Sequence, residues 1–468
     1  MSDSLNVLAT WPSADLFRLP PFGQPTPIPP ADAALSIMHP FNIPASWFQG
    51  TLHAKVPLTI AATYAVTIKL LNRYNRSRNK QPWSISKTAP FKAFVVFHNI
   101  FLAVYSAWTF WGMLGGMKRS IRSPTGPGGI AATVDSLCRV HGASGLGNSV
   151  FFNETSGQWM TTAADAPAAL FDAAGNPNPN QMGRLWNEGL AYYGWIFYLS
   201  KFYEVLDTFI ILAKGKYSST LQTYHHAGAM LCMWAGIRYM TVPIWVFVLV
   251  NSFIHALMYT YYTVTAFSIK VPMALKRTLT SMQITQFVLG ASYAMIHSFV
   301  SYLVPISTTK TAGAVIASPA APADFVVPTA IGSIKNIIFG SGSAATASAG
   351  SNTVYAIQSC VTTSPETFAI WLNVLYLAPL TYLFGSFFVA SYIKRSNAAT
   401  KANGKAARRY SNVNVALAEK AGWDAARSVE REVYGGEAML RSGSSSPVTE
   451  EAPAGAKSLR GDRTRRRA

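Results

Sequence analysis

Charge is scarce in this sequence. Only 13% of its 468 residues are Asp, Glu, Lys or Arg, where an ordinary soluble domain carries roughly 25%. Acidic residues are the scarcer kind, 20 against 39 Lys and Arg, which leaves a net charge of +19. Cysteine is nearly absent, with three in all. These shortages exclude an ordinary water-soluble enzyme, a disordered chain and a disulfide-rich secreted scaffold. What the chain has instead is apolar surface: 50% of the residues are hydrophobic and 13% aromatic. That composition belongs in a membrane, where excess Lys and Arg marks cytoplasmic loops rather than nucleic-acid binding.

The first 50 residues are Pro-rich and place Asp3, Asp15 and Asp32 against Arg18. They lack the apolar run with a basic flank of a cleavable signal peptide. Residues 1–54 are expected to form a largely unstructured lumenal arm. Apolar segments follow near 55–72, 92–114, 187–213, 218–240, 243–267, 275–303 and 366–393, each near or above the roughly 20 residues that cross a bilayer. The expected fold is an all-α membrane protein, a bundle of seven transmembrane helices over 55–395. Seven spans put Arg73, Arg76, Arg78, Lys80 and Lys87 on the same side as Lys214, Lys216, Lys270, Lys276 and Arg277. The 396–468 tail, basic and expected to be disordered, joins them. That side should be cytoplasmic and the N-terminus lumenal; Lys118, Arg119 and Arg122 dissent. The long lumenal loops 115–186 and 304–365 each hold one cysteine, Cys138 and Cys360, and a disulfide between them is expected, with two free thiols as the alternative. The acceptor pattern Asn153-Glu154-Thr155 is available for glycosylation only in a lumen.

Ionisable residues inside spans are costly and default to functional hypotheses. The third segment carries Lys201, Glu204 and Thr208 on one face, with Asp207 about 100° away; an internal Lys201–Glu204 pair that only fixes packing is the plainer reading. The fourth opens with Gln222, His225 and His226 within one turn. The fifth aligns Asn251, His255, Met258, Tyr259 and Tyr262 in a single stripe, which could also be an aromatic belt. The sixth opens with Thr280, Gln283 and Gln286, read otherwise as interhelical glue. All four patches fall in the expected cytoplasmic halves of their segments, beneath the rim Lys214, Lys216, Lys270, Lys276 and Arg277. Together they describe a closed-bottom cavity opening to the cytoplasm, suited to an amphiphile with an anionic head and an apolar tail.

In this order, Lys201-x-x-Glu204-x-x-Asp207-Thr208, Gln222-x-x-His225-His226, Asn251-x-x-x-His255-x-x-Met258-Tyr259-x-Tyr261-Tyr262 and Thr280-x-x-Gln283-x-x-Gln286 resemble the signature of the very-long-chain fatty acid elongases, the ELO family. His98-Asn99 also looks like a family position, and the resemblance covers roughly 55–395. The family's box is usually His-x-x-His-His; Gln222 in first place resembles the subset, fungal and algal especially, associated with polyunsaturated chains. The resemblance implies a multi-pass endoplasmic-reticulum enzyme, a 3-ketoacyl-CoA synthase, that condenses acyl-CoA with malonyl-CoA and releases CoA and carbon dioxide. No nucleotide-cofactor motif is present, so separate reductases and a dehydratase would complete the cycle as partners; no cofactor and no nucleic acid are expected, and a homodimer is left open.

Histidine can act as nucleophile or base near neutral pH. His225 or His255 would take the acyl group or activate its thioester, and His226 would orient its neighbours or supply a proton. Asn251, Gln283 and Tyr262 would donate to thioester oxygens, and Lys201, Glu204 and Asp207 would organise the site. Met230, Met233, Trp234, Met295 and Phe299 are candidates to close the cavity. Cys232 is read as a buried small hydrophobe rather than a nucleophile. The eight histidines scatter too widely for a di-iron centre, and zinc at His225, His226 and His255 is disfavoured, so no metal is expected. The alternative of another class is a seven-helix receptor or lipid transporter without catalysis.

Overall fold

A computed structural model describes residues 6–21, 25–163, 168–307 and 353–389. The 396–468 tail and most of the 304–365 loop lie outside the described residues. Each of the seven apolar stretches contains helix. A short α1 (Ala45–Thr51) meets α2 (Lys55–Ser77) at a 49° bend. Then come α3 (Ala89–Ser120), α4 (Gly129–Cys138), α5 (Ala191–Tyr203), α6 (Val205–Ala213), α7 (Thr220–Arg238), α8 (Ile244–Ala266), α9 (Met273–His297) and α10 (Ser364–Phe388). By length and apolarity α3, α8 and α10 can each cross a membrane, and the bent α1–α2 pair, taken as one span, can make a fourth. The chain is a membrane protein. Large apolar side chains such as Phe97, Val104 and Trp111 on α3, Leu289 on α9 and Leu375 on α10 point outward, a pattern that suits lipid and not water.

Local chemistry sets where the helices start. Thr88, Ser219 and Thr363 each accept a backbone N–H of the first turn of α3, α7 and α10, which satisfies one of the orphan donors there. The third apolar stretch is interrupted at Glu204, between α5 and α6. α3 packs along α8, α9 along α10, and α7 lies against α2, α5 and α10. The helices run between two ends. At one, the basic end, Asn75 donates to the carbonyls of Leu212 and Lys216 and accepts from Trp83. This ties the loop after α2 to the loop after α6. α3 has 32 residues, about 48 Å at 1.5 Å per residue, so it overruns a hydrocarbon core of roughly 30 Å. Its last turn thus clears the bilayer. There Arg119 pairs with Glu188 at 2.5 Å, which neutralises one of the three dissenting charges.

The opposite end is not all-α, and this corrects the expected fold class. Two three-stranded antiparallel sheets cover it. One joins β1 (Val7–Ala9), β5 (Val300–Ser307) and β6 (Thr353–Ser359); the other joins β2 (His141–Gly142), β3 (Ser149–Asn153) and β4 (Gln158–Thr161). The sixth apolar segment therefore stops as a helix at His297 rather than running to 303. Tyr302 and Val304 alternate inward on β5 and are fully buried, a period of two that a helix could not use, and Pro305 would break one. Arg184 pairs with Asp135 at 2.6 Å in the interior, and Tyr302 donates to the other Asp135 oxygen at 2.7 Å.

The arm is also corrected: its described part is folded against the helices. Ile28, Ile43, Phe48 and Leu52 are buried. Proline brings carbonyls without N–H partners of their own, and the arm's carbonyls find donors on aromatic side chains. Trp186 donates to Ile28, Tyr193 to Met38, Tyr192 to Phe41, Tyr198 to Thr51 and Trp234 to Leu52, at 2.7–3.0 Å.

Candidate functional site

The break at Glu204 sends two carboxylates, three residues apart, to different partners. Glu204 is buried and accepts from Lys201 Nζ at 2.6 Å and from the Ser200 hydroxyl at 3.1 Å. His255 Nδ1 stands 3.7 Å from the same oxygen, Oε1. Lys201 reaches on to Asn251 Oδ1 at 3.4 Å, and Asn251 donates to Gln286 at 3.4 Å. A polar chain thus crosses from α5 through α8 to α9. Buried charge survives only when paired in this way. Within α8 a π-turn at Phe247–Asn251 ends on the first residue of the stripe that carries His255.

Asp207 makes a second node. His98 Nε2 lies 2.8 Å from Oδ1, and Tyr259 donates to Oδ2 at 2.6 Å. Asn99 is buried beside His98 on α3. Thr208, one residue on, bonds Tyr64 of α2 at 2.9 Å and Gln222 at 3.3 Å, and Gln222 Nε2 meets His226 Nε2 at 2.8 Å. The His226 ring is therefore bonded through its Nε2. His225 turns the other way. Its Nδ1 is 3.2 Å from the Tyr376 hydroxyl of α10, and Phe287 and Phe384 wall its ring.

The remaining expected residues fall at different distances from this centre. Gln283 is buried and donates to Met258 Sδ at 3.3 Å. Thr280 is buried and bonds back to the Lys276 carbonyl. Tyr262 sits edge-on to Tyr259, one turn nearer the basic end. Lys214, Lys270 and Arg277 are exposed at the basic end, with Lys216 and Lys276 half-buried beside them. Of the suggested cavity-closing residues, Met230 is fully buried while Met295 is 37% exposed on the outer side of α9, so Met295 does not close an interior space. Phe299 packs on Trp11 of the arm. Cys232 is buried and unpaired. Cys138 and Cys360 are joined as a disulfide. Asn153 is half-buried, and its Oδ1 accepts from the backbone of Thr155 and Ser156. Among the described residues, no three His, Cys, Asp or Glu side chains converge as metal ligands.

Three participants were not legible from spacing: Tyr64, Ser200 and Tyr376. Each is a single hydroxyl in an apolar helix, and its partner lies on another helix in two of the three cases.

Comparison with known proteins adds the following. The model of the ELO: GNS1/SUR4 family matches residues 51–400. "Fatty acid elongase sre1" of Dictyostelium discoideum is 36% identical over 152 residues, 32% of this chain and 52% of that protein. "Very long chain fatty acid elongase 3" of Homo sapiens is 34% identical over 105 residues, 22% of this chain and 39% of that protein. "Very long chain fatty acid elongase 7" of Drosophila melanogaster is 38% identical over 110 residues, 22% of this chain and 32% of that protein. The similarity spans about half the length of these relatives or less. No solved structure matches the chain.

Proposed function

The chain belongs to the ELO (GNS1/SUR4) family, and from that premise we propose that it is the condensing enzyme of fatty acid elongation. It joins acyl-CoA and malonyl-CoA to give 3-ketoacyl-CoA, CoA and carbon dioxide. The observation that carries this reading is the histidine set, with His255 beside the buried Lys201–Glu204 pair and the His225 and His226 rings 5.4 Å apart, held in a chain whose relatives are named fatty acid elongases.

The reaction proceeds in two halves. The Nε2 lone pair of His225 or His255 attacks the thioester carbonyl; the tetrahedral intermediate collapses, the CoA thiolate leaves, and an acyl-imidazole remains. Malonyl-CoA then loses carbon dioxide, its enolate carbon attacks the acyl carbonyl, and the imidazole leaves with 3-ketoacyl-CoA formed. Asn251 and Gln283 carry amide donors suited to the developing oxyanions, where one donor is worth about 2.7–4 kcal/mol of barrier. Glu204 beside His255 Nδ1 stabilises positive charge on that ring as it forms. Lys214, Lys216, Lys270, Lys276 and Arg277 meet the CoA phosphates, and the acyl tail runs between the helices toward the sheet end.

The finer readings belong to the same proposal: seven spans with the basic end cytoplasmic, residence in the endoplasmic reticulum, separate reductases and a dehydratase as partners, and a preference for long or polyunsaturated chains suggested by Gln222. The test uses membranes holding the full chain, labelled malonyl-CoA and a panel of acyl-CoAs. Labelled 3-ketoacyl product is expected from the natural protein and loss of it from His225→Ala and His255→Ala. Full product from both variants overturns the mechanism. No product from any acyl-CoA, with a folded protein, favours a receptor or transporter instead.

A further inference from the structure

Tyr376 lies on α10, 151 residues from His225 of the histidine box, and touches that residue twice. Its hydroxyl donates to the backbone carbonyl of His225 at 2.8 Å. The same oxygen is 3.2 Å from His225 Nδ1. A phenol has one hydrogen to give, and the carbonyl, which can only accept, takes it. Toward the ring the phenol oxygen can then only accept, so Nδ1 must carry the proton. In the neutral imidazole the lone pair is consequently on Nε2. Among the described residues, Phe287 and Phe384 face its ring with carbon alone, and the His226 ring, 5.4 Å away, is bonded through its own Nε2 to Gln222.

Tyr376 is itself held. Tyr224, one residue before His225, stacks on its ring at 5.3 Å and donates to its backbone carbonyl. Gly228 lies under the ring, and a Cβ there would collide with Tyr376 Cε2. Glycine in a helix interior costs about 1 kcal/mol relative to Ala, and here the missing side chain is what lets α10 seat its tyrosine on α7.

We propose that Tyr376 is a positioning residue that fixes the tautomer and orientation of His225, with Gly228 as its seat, so that Nε2 faces the acyl thioester. The proposal rests on the reading of His225 as a reacting group and adds to it a residue from outside the four signature segments.

The test compares Tyr376→Phe, His225→Ala and the double variant in membranes holding the full chain. Two steps are read separately: CoA release from acyl-CoA alone, and 3-ketoacyl product once malonyl-CoA is added. Tyr376→Phe keeps the ring, its stacking and its seat, and removes only the hydroxyl. CoA release should fall about 10- to 100-fold, the loss expected when a reacting group is misaligned, with KM for acyl-CoA within about twofold and an unchanged thermal midpoint. Added to His225→Ala, it should cost nothing further. Natural CoA-release rates in Tyr376→Phe with an inactive His225→Ala overturn the positioning role and leave the site reading standing. A rate loss that tracks a lowered midpoint also overturns it. An active His225→Ala overturns the site reading itself.

Discussion

Glu204 serves Lys201, Ser200 and His255 with one carboxylate, and its burial makes each contact matter. Glu204→Gln would strand the Lys201 charge in a dry interior, at a cost of about 3–5 kcal/mol. Heat stability in detergent should drop accordingly and condensation should be lost. Glu204→Leu combined with Lys201→Met should recover much of the stability without the activity, and recovery of both would show the pair to be structural only. His141 presents the opposite case, a histidine kept neutral. It is buried between Trp159 and Trp186 at the sheet end, neither ring nitrogen has a hydrogen-bond partner among the described residues, and burial lowers its pKa to about 3. Unfolded, it would titrate near 6.5. Between those values the unfolded chain takes up a proton that the folded one refuses, so stability should fall as pH drops from about 6.5 toward 3. The thermal midpoint of His141→Phe should vary less over that window; an equally steep decline would assign the effect to other groups. Of these residues the sequence exposes the signature ones, because spacing along one helix is an intrinsic property of a chain. His225 and Gln222 read as sharing a face, yet His225 pairs with α10 and Gln222 with α6. Which neighbour a side chain meets depends on helices distant in sequence.

At the scale of elements, apolar length predicts the helices and composition predicts their ends poorly. α9 was expected to run to 303 because Val300, Tyr302 and Val304 are as apolar as a helix needs. Their alternation is the better signal, and it belongs to a strand. The break between α5 and α6 leaves no mark in composition, since neither Gly nor Pro stands at Glu204. The contact of α7 with α10 is more open to experiment. Gly228→Ala would improve local helix propensity by about 1 kcal/mol but overpack the Tyr376 ring, which typically costs about 1–3 kcal/mol. A lower thermal midpoint together with slower condensation is the expected result. A raised midpoint with natural activity would show that the ring has room.

On the scale of the whole molecule, the arm and both sheets gather at the end away from the Lys and Arg loops. With the basic end cytoplasmic, Asn153 faces the lumen. An endoglycosidase-sensitive mass shift, absent from Asn153→Gln, is the expected outcome, and labelling of residue 153 from the cytoplasmic side of intact vesicles would reverse the orientation. The arm illustrates why its state was illegible in the sequence. Its proline content argues against regular structure, and the aromatic donors that tie it down come from helices more than a hundred residues away. The pairing of β5 with β6 sets Ser307 opposite Thr353 at one end of the ribbon, and the disulfide joins Cys138 to Cys360 at the other end, next to the Ser301–Ser359 pair. The chain thus departs at 307 and returns at 353 through a single doorway, with a covalent bolt at the far end of the two strands. Trypsin cutting at Lys310 or Lys335 would open the connection without parting the pieces: one band on a non-reducing gel and two after reduction. New chain termini placed between those strands would leave every contact of the histidine site on one folded body, which makes this doorway the natural place to re-join the protein in a different order.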